Sequence, residues 1–346
     1  MPEIKIGKRK IGSNHPPFVI AEIGINHNGS LAKAKRMIHD AKKAGAECVK
    51  FQGHVLEDEM LESEARKTIP ANAKISIWEI MARCALSEEQ ERELKKYTEK
   101  LGMIFLSTPF SRAAADRLER MGVKAFKIGS GECNNYPLVE HVARFGKPMI
   151  VSTGMNDIAS IKKTVAILKK HKVPFALLHC TNLYPTPWNR VYLQAITKME
   201  KTFPDAVIGF SNHSAGPWAA LGAVALGASI LERHFTSDRA WKGEDIAVSM
   251  DPQELSLIIK GSRAIWESRG DHKGPLREEQ PTIDFAFASV VSIAPIKKGE
   301  KFTKKNIWVK RPGTGELKAV DYSKILGKRA ARSIAKDAQI KRKDVL

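Results

Sequence analysis

The chain has 346 residues, 43% hydrophobic and 27% charged, with a formal net charge of +19. That suits one large globular domain with a small companion and excludes a disordered or fibrous chain. No apolar run approaches the ~20 residues of a membrane span, MPEIKIGKRKIG lacks the apolar stretch of a secretory signal, and Cys48, Cys84, Cys133 and Cys180 form no CxxC pair, so a cytoplasmic protein with free thiols, and no membrane partner, is expected.

Apolar runs recur along the first 270 residues. FVIAEIGI (18–25) comes first, followed by the helical pattern LAKAKRMIHDAKKAG. CVKFQ (48–52) follows, then a long connection from about Gly53 to Leu86 that contains EDEM and IPANAKISIWEIM. After SEEQERELKKYTEKLG come MIFLSTPF (103–110), SRAAADRLERMG and AFKIGSG (125–131). PMIVSTG (148–154), FALLHC (175–180), AVIGFSNH (206–213) and ILERHFT (230–236) complete eight runs, and DPQELSLIIKGSRAIWESRG supplies a last helix. Short strands alternating with helices predict parallel pairing, and eight of them predict an α/β fold of the (β/α)8, or TIM-barrel, kind. An open doubly wound sheet is the alternative, but the first turn, GINHNGS, carries no GxGxxG. A connection as long as 53–86 at the C-terminal end of a strand suits an active-site cover.

Barrel active sites lie at the C-terminal strand ends. Those ends read Glu22, Asn26 and His27; Lys50 and Gln52; Ser107 and Thr108; Lys127, Ser130 and Glu132; Ser152 and Thr153; His179, Thr181 and Asn182; Ser211 and His213; Glu232 and His234. Any one of them alone is explained as a helix cap or a satisfied polar side chain. Their recurrence on strand after strand points to one polar rim.

Lys50 and Lys127, with the hydroxyls of Thr108, Ser130, Ser152 and Ser211, make a phosphate or carboxylate site. A Schiff-base role for Lys127 is a second reading. His213 and His234 end adjacent strands, where two imidazoles either bind one divalent metal or make ordinary hydrogen bonds. Glu22 and Glu132 are candidates for general acid and base, for holding a sugar hydroxyl, or for an ion pair.

The tail differs from the rest. Residues 285–346 hold 16 Lys and Arg against 5 Asp and Glu, a net +11. A nucleic-acid module is one account of this basicity. The aromatics of the tail, Phe285, Phe287, Phe302, Trp308 and Tyr322, fit a small core better than a stacking platform, so no nucleic-acid partner is expected.

IAEIGINHNGS, FLSTPFSRAAADRLERMGVKAFKIGSGECNNYPL, LHCTNLYPTP, GAVALGASILERHFT and FAFASVVSIAPIKKGE with NIWVKRPG resemble the bacterial N-acetylneuraminate (sialic acid) synthases over essentially the whole chain. The resemblance implies a TIM-barrel synthase domain (1–270), a linker (271–284) and a small β-rich antifreeze-like, or SAF, domain (285–346). It implies condensation of phosphoenolpyruvate with an N-acetylmannosamine-type sugar, C–O cleavage releasing phosphate, and a homodimer with swapped C-terminal domains. It also implies a divalent metal, Mn2+ foremost with Mg2+ and Co2+ as alternatives, on His213 and His234.

The resemblance assigns phosphoenolpyruvate to Lys50, Thr108, Lys127, Ser130, Ser152, Asn182 and Ser211. It assigns the sugar to Glu22, Gln52, Asn72, Tyr184 and Asp245. Arg311 would reach the partner subunit's site, with Thr282 and Phe285 at the domain junction, and Glu132 would handle the proton of the attacking water. Legionaminic and pseudaminic acid synthases, acting on 2,4-diacetamido-2,4,6-trideoxy sugars, are the alternative. EDEM and IPANAKISIWEIM favour the N-acetylmannosamine type by resemblance. Two positions depart from the usual pattern: Asn212, where many relatives have Asp, is marked for altered metal tuning, and Gly53, where many have Thr, for a reshaped sugar pocket.

Overall fold

The computed structural model describes every residue except 72. An antiparallel hairpin, β1 (Glu3–Ile6) and β2 (Arg9–Gly12), opens the chain. Eight strands follow: β3 (Phe18–Gly24), β4 (Cys48–Gly53), β5 (Ile104–Pro109), β6 (Phe126–Ile128), β7 (Met149–Ser152), β8 (Phe175–Cys180), β9 (Val207–Asn212) and β10 (Ile230–His234). They coincide with the eight apolar runs. Their order is β5-β4-β3-β10-β9-β8-β7-β6, and every hydrogen-bonded pair is parallel. The two end strands, β5 and β6, lie side by side, which curls the sheet into a near-closed barrel. All residues of β3 and β9 are buried, as expected for strands covered on both faces.

The helices start where their caps dictate. Ser30, Ser111 and Asp251 accept backbone N–H groups in the first turns of Leu31–Lys43, Arg112–Arg120 and Pro252–Glu267. Ser87 and Gln90 form a capping box at the start of Glu88–Lys100. The long connection after β4 carries three short helices, Leu56–Glu59, Glu62–Ala65 and Ile77–Cys84.

The barrel interior has two layers. The lower layer is apolar: Phe18, Ile20, Cys48, Leu106, Ile150, Leu178, Val207 and Ile230 form one cluster with Ile4, Ile6 and Ile11 of the hairpin. The hairpin thus plugs the N-terminal end. The main core, between strands and helices, is a second, larger cluster. All four cysteines are free and buried. Among the described residues, no helix is long and apolar enough to cross a membrane.

The chain divides into two compact units, Met1–Gly270 and Asp271–Leu346. Residues 271–284, expected as a linker, carry a 3-10 turn, Arg277–Glu279, and the start of the helix Gln280–Ala286, and they belong to the second unit. Antiparallel strands β11 (Ser289–Ser292) and β12 (Ile307–Lys310) build that unit around Val290, Ile296, Phe302, Ile307 and Ile340. The expectation that its aromatics form the core holds for Phe302 and fails for three others. Phe285, Phe287 and Trp308 are at least half exposed, because aliphatic side chains already fill the small interior. Trp308 meets Tyr322 edge-on at 5.4 Å, and the Arg311 guanidinium lies 5.9 Å from the Phe285 ring centre.

Candidate active site

The C-terminal ends of the barrel strands enclose a cavity of about 140 Å³. Thirteen of the side chains singled out from the sequence line it: Glu22, Lys50, Gln52, Thr108, Lys127, Ser130, Ser152, Asn182, Tyr184, Ser211, His213, Glu232 and His234. Register aligns some of them directly, Glu22 with His234 across β3 and β10 among them. Glu22 pairs with Lys50 across β3 and β4, and Glu232 with Ser211 across β10 and β9.

At the floor sit two buried ammonium groups and two buried carboxylates. Lys50 Nζ lies 2.8 Å from Glu22 and 3.7 Å from Glu232, and donates to Thr108 Oγ1 at 3.0 Å. Lys127 Nζ lies 3.6 Å from Glu232 and donates to Ser152 Oγ at 2.7 Å and to the Ile128 carbonyl at 2.9 Å. Unpaired, any of the four would be costly to bury; two of each sign balance. Burial pushes Glu22 up to about 7, against the pull of Lys50. Burial would raise Glu232 too, but Lys127 and Lys50 outweigh it and hold that carboxyl below its usual range. Burial lowers Lys127. It would lower Lys50 as well, but Glu22 and Glu232 hold that ammonium above its usual range.

Opposite stand the two histidines, ring centres 5.5 Å apart, with Tyr184 4.1 Å from the His213 ring. His213 Nδ1 donates to the Thr181 carbonyl at 3.0 Å, which leaves the lone pair on Nε2. Burial and His234 push His213 down to about 4; burial and Lys50 push His234 down to about 3. Both imidazoles are therefore neutral, the form that binds metal. His234 Nδ1 is buried without a hydrogen-bond partner, and Asp245 Oδ2 lies 3.7 Å from it. Burial raises Asp245 to about 6. Among the described residues no three His, Cys, Asp or Glu side chains converge on one point. The pair thus fits a divalent cation bound openly, with water and substrate oxygens in the remaining positions.

The other expected residues lie elsewhere. Glu132 stands at the cavity edge, its buried Oε2 unpartnered and close against Gly129 of the lining. Burial pushes it up to about 7, with Glu59 adding to the shift. Asn72 lies outside the described residues. Thr282, Phe285 and Arg311 belong to the second compact unit.

Two expectations need correction. A side chain at Gly53 would point away from the cavity, with its Cβ 3.2 Å from Glu91 Oε1 and 3.5 Å from Ser107 Oγ, so this glycine does not shape the pocket. Asn212 does not bond His213: its Oδ1 accepts from the Ser214 N–H and hydroxyl at 2.9 and 2.8 Å and anchors the loop after β9. Glu232 sits between the two lysines, 3.7 Å from Lys50 Nζ and 3.6 Å from Lys127 Nζ. Arg233, one residue on, faces outward to Glu254 and the Gly216 carbonyl. Sequence reasoning missed Phe110 and Cys180 in the lining. Neither carries a charge or spacing to mark it, although Cys180 shares the inward parity of Leu178.

A near-closed parallel barrel with paired lysines and paired histidines at its C-terminal end, followed in the chain by a small β unit, places the chain among the barrel synthases. The chain belongs to the NeuB family, which matches residues 37–274; the SAF domain matches 287–346. It is 36% identical to human N-acetylneuraminate-9-phosphate synthase, over 96% of this chain and 93% of that one. It is also 36% identical to N,N'-diacetyllegionaminic acid synthase of Campylobacter jejuni, over 94% and 98%. The solved N-acetylneuraminic acid synthetase of Leptospira borgpetersenii superposes with a TM-score of 0.74 at 35% identity, over 81% of this chain and 95% of that one.

Proposed function

We propose that this chain is an N-acetylneuraminate synthase, joining phosphoenolpyruvate to N-acetylmannosamine and water and releasing phosphate. The observation that carries this reading is two buried ammonium groups among hydroxyls facing a neutral histidine pair across one small cavity. That arrangement suits a small anion and a polarised carbonyl held within reach of each other.

Lys127, Ser152 and Lys50 hold the phosphoenolpyruvate anion, with Thr108, Ser130, Asn182 and Ser211 around it. Glu22, Gln52, Tyr184, Asp245 and Asn72 orient the sugar. A divalent cation on His213 and His234, Mn2+ foremost, would supply Lewis-acid polarisation of the sugar aldehyde. C3 of phosphoenolpyruvate forms the new bond to the aldehyde carbon as the C2–C3 and C=O π bonds open, the aldehyde oxygen takes up a proton to become a hydroxyl, and water adds at C2. Glu132, with its pKa pushed up to about 7, takes the proton of that water. The C2–O bond breaks, phosphate leaves, and the C2 ketone remains. Arg311 of a second copy completes the sugar site in a homodimer.

A second reading comes from the equal identity to the legionaminic acid synthase: the sugar would be a 2,4-diacetamido-2,4,6-trideoxy one. The name of the human relative adds a third arm, because a nine-carbon 9-phosphate built by adding three carbons starts from a six-carbon 6-phosphate. Turnover of phosphoenolpyruvate with N-acetylmannosamine, its 6-phosphate and the trideoxy sugar, followed by product mass, separates the three. N-acetylmannosamine is expected to give the highest kcat/KM. A preference of about tenfold or more for another sugar would move the assignment to that sugar.

A further inference from the structure

Beside the cavity runs a polar chain whose outer members, Glu59 and His54, the proposed chemistry leaves unused. Glu59 ends the short helix Leu56–Glu59. Its carboxylate accepts from His54 Nδ1 at 2.9 Å. The opposite ring nitrogen, Nε2, donates to Gln52 Oε1 at 3.2 Å. Gln52 Nε2 donates in turn to Glu22 Oε1, also at 3.2 Å. The His54 ring lies flat on Phe110, centres 4.8 Å apart and planes 9° from parallel, and its side chain is 2% exposed. Glu132 and Glu91 from neighbouring elements also lie within electrostatic reach of it, as does the His27 ring.

A buried amide can turn either its oxygen or its NH2 group toward a ligand, and its neighbours decide which. With a carboxylate at each end of the chain, Glu22 and Glu59, the amide NH2 faces Glu22 and both ring nitrogens donate, so His54 is the imidazolium and its Nε2–H holds the amide oxygen. The NH2 group is thereby fixed toward Glu22 and the cavity. Phe110 stops the ring from turning, and Glu59 stops it from sliding.

We propose that His54, locked by Glu59 and Phe110, is a positioning residue that sets the Gln52 amide and so tunes recognition of the sugar while leaving phosphoenolpyruvate binding alone. This rests on the reading of Gln52 and Glu22 as sugar contacts. It makes the first turn of the long connection a specificity element reaching the pocket through two side chains. A ligand that needs an acceptor where Gln52 offers a donor is disfavoured by the same lock.

The test is steady-state kinetics on His54→Phe, Glu59→Gln, Gln52→Ala and the His54→Phe/Gln52→Ala double variant, varying each substrate in turn. His54→Phe keeps the stack on Phe110 and removes both donors, and is expected to raise the sugar KM about tenfold with the phosphoenolpyruvate KM within about twofold. Glu59→Gln removes the carboxylate that balances the imidazolium and should raise the sugar KM in the same direction as His54→Phe, by about threefold, with the phosphoenolpyruvate KM within about twofold. The double variant should match Gln52→Ala, because His54 acts only through that amide. Additive losses in the double variant, equal rises in both KM values, or an unchanged sugar KM in His54→Phe would overturn the role of His54 while leaving the site assignment standing. Wild-type protein that consumes no phosphoenolpyruvate with any of the three sugars would overturn the site assignment, and the inference with it.

Discussion

The two ends of the barrel are built from the same eight strands, two residues apart. Ile20 lies below Glu22, Cys48 below Lys50, Leu106 below Thr108, Ala125 below Lys127, Ile150 below Ser152, Leu178 below Cys180 and Ile230 below Glu232. The lower layer is apolar and sealed by the isoleucines of the hairpin; the upper layer holds two lysines, two glutamates and two neutral histidines, all buried. One step of the period-2 alternation separates a packing problem from a chemical one. The lower end stabilises the fold by burial, and the upper end spends some of that stability on groups that would rather be in water.

Substitutions at the two ends should therefore fail in opposite ways. The largest effect is expected at the top: Lys127→Met should cut kcat/KM by about a thousandfold or more in a phosphate-release assay. Next comes subunit complementation. Arg311→Ala and His234→Ala should each be nearly inactive, yet unfolding and refolding them together should restore about a quarter of wild-type activity if Arg311 serves the partner's site. Mixtures no better than their parents would remove Arg311 from that role.

At the bottom, Ile6→Ala should cost about 2–5 kcal/mol in denaturant unfolding. Its KM values should stay unchanged below the new melting temperature. Glu132→Gln sharpens the comparison by pH. The carboxyl titrates near 7 in the folded chain against an ordinary 4.5, so the folded state binds the proton more tightly. Its stabilising contribution is full below about pH 4.5 and is lost as pH rises through about 7. The glutamine variant should therefore be more stable than wild type at about pH 8, by up to about 3 kcal/mol, and equal to it at about pH 4. It should also lose the rise of kcat/KM through pH 7. The smallest effect is expected at Gly53→Ser. A hydroxyl there reaches Glu91 Oε1 and Ser107 Oγ, both buried without a hydrogen-bond partner, and should add about 1 kcal/mol, seen as a higher melting temperature.

The eight strands were legible because each is a short apolar run closed by polar residues, and both faces of each are covered. The hairpin was not recognised, although Ile4, Ile6 and Ile11 show its alternation; three lysines and an arginine in ten residues made the segment resemble a solvated tail. The rim was legible as residue types at strand ends, and the alternation that turns Glu232 into the cavity turns Arg233 out to Glu254. His54 was not, because its role depends on Glu59 folding back over five residues and on Phe110 arriving from another strand end. Gly53 was misjudged from a likeness in sequence where parity, with Gln52 inward, already turns position 53 away.

The most direct test of the central claim uses phosphoenolpyruvate carrying 18O in its bridging position. Incubated with N-acetylmannosamine, Mn2+ and the purified chain, it should yield a nine-carbon keto acid without label and phosphate that carries the label. Label retained in the sugar acid, or pyruvate released with no nine-carbon product, would contradict the account.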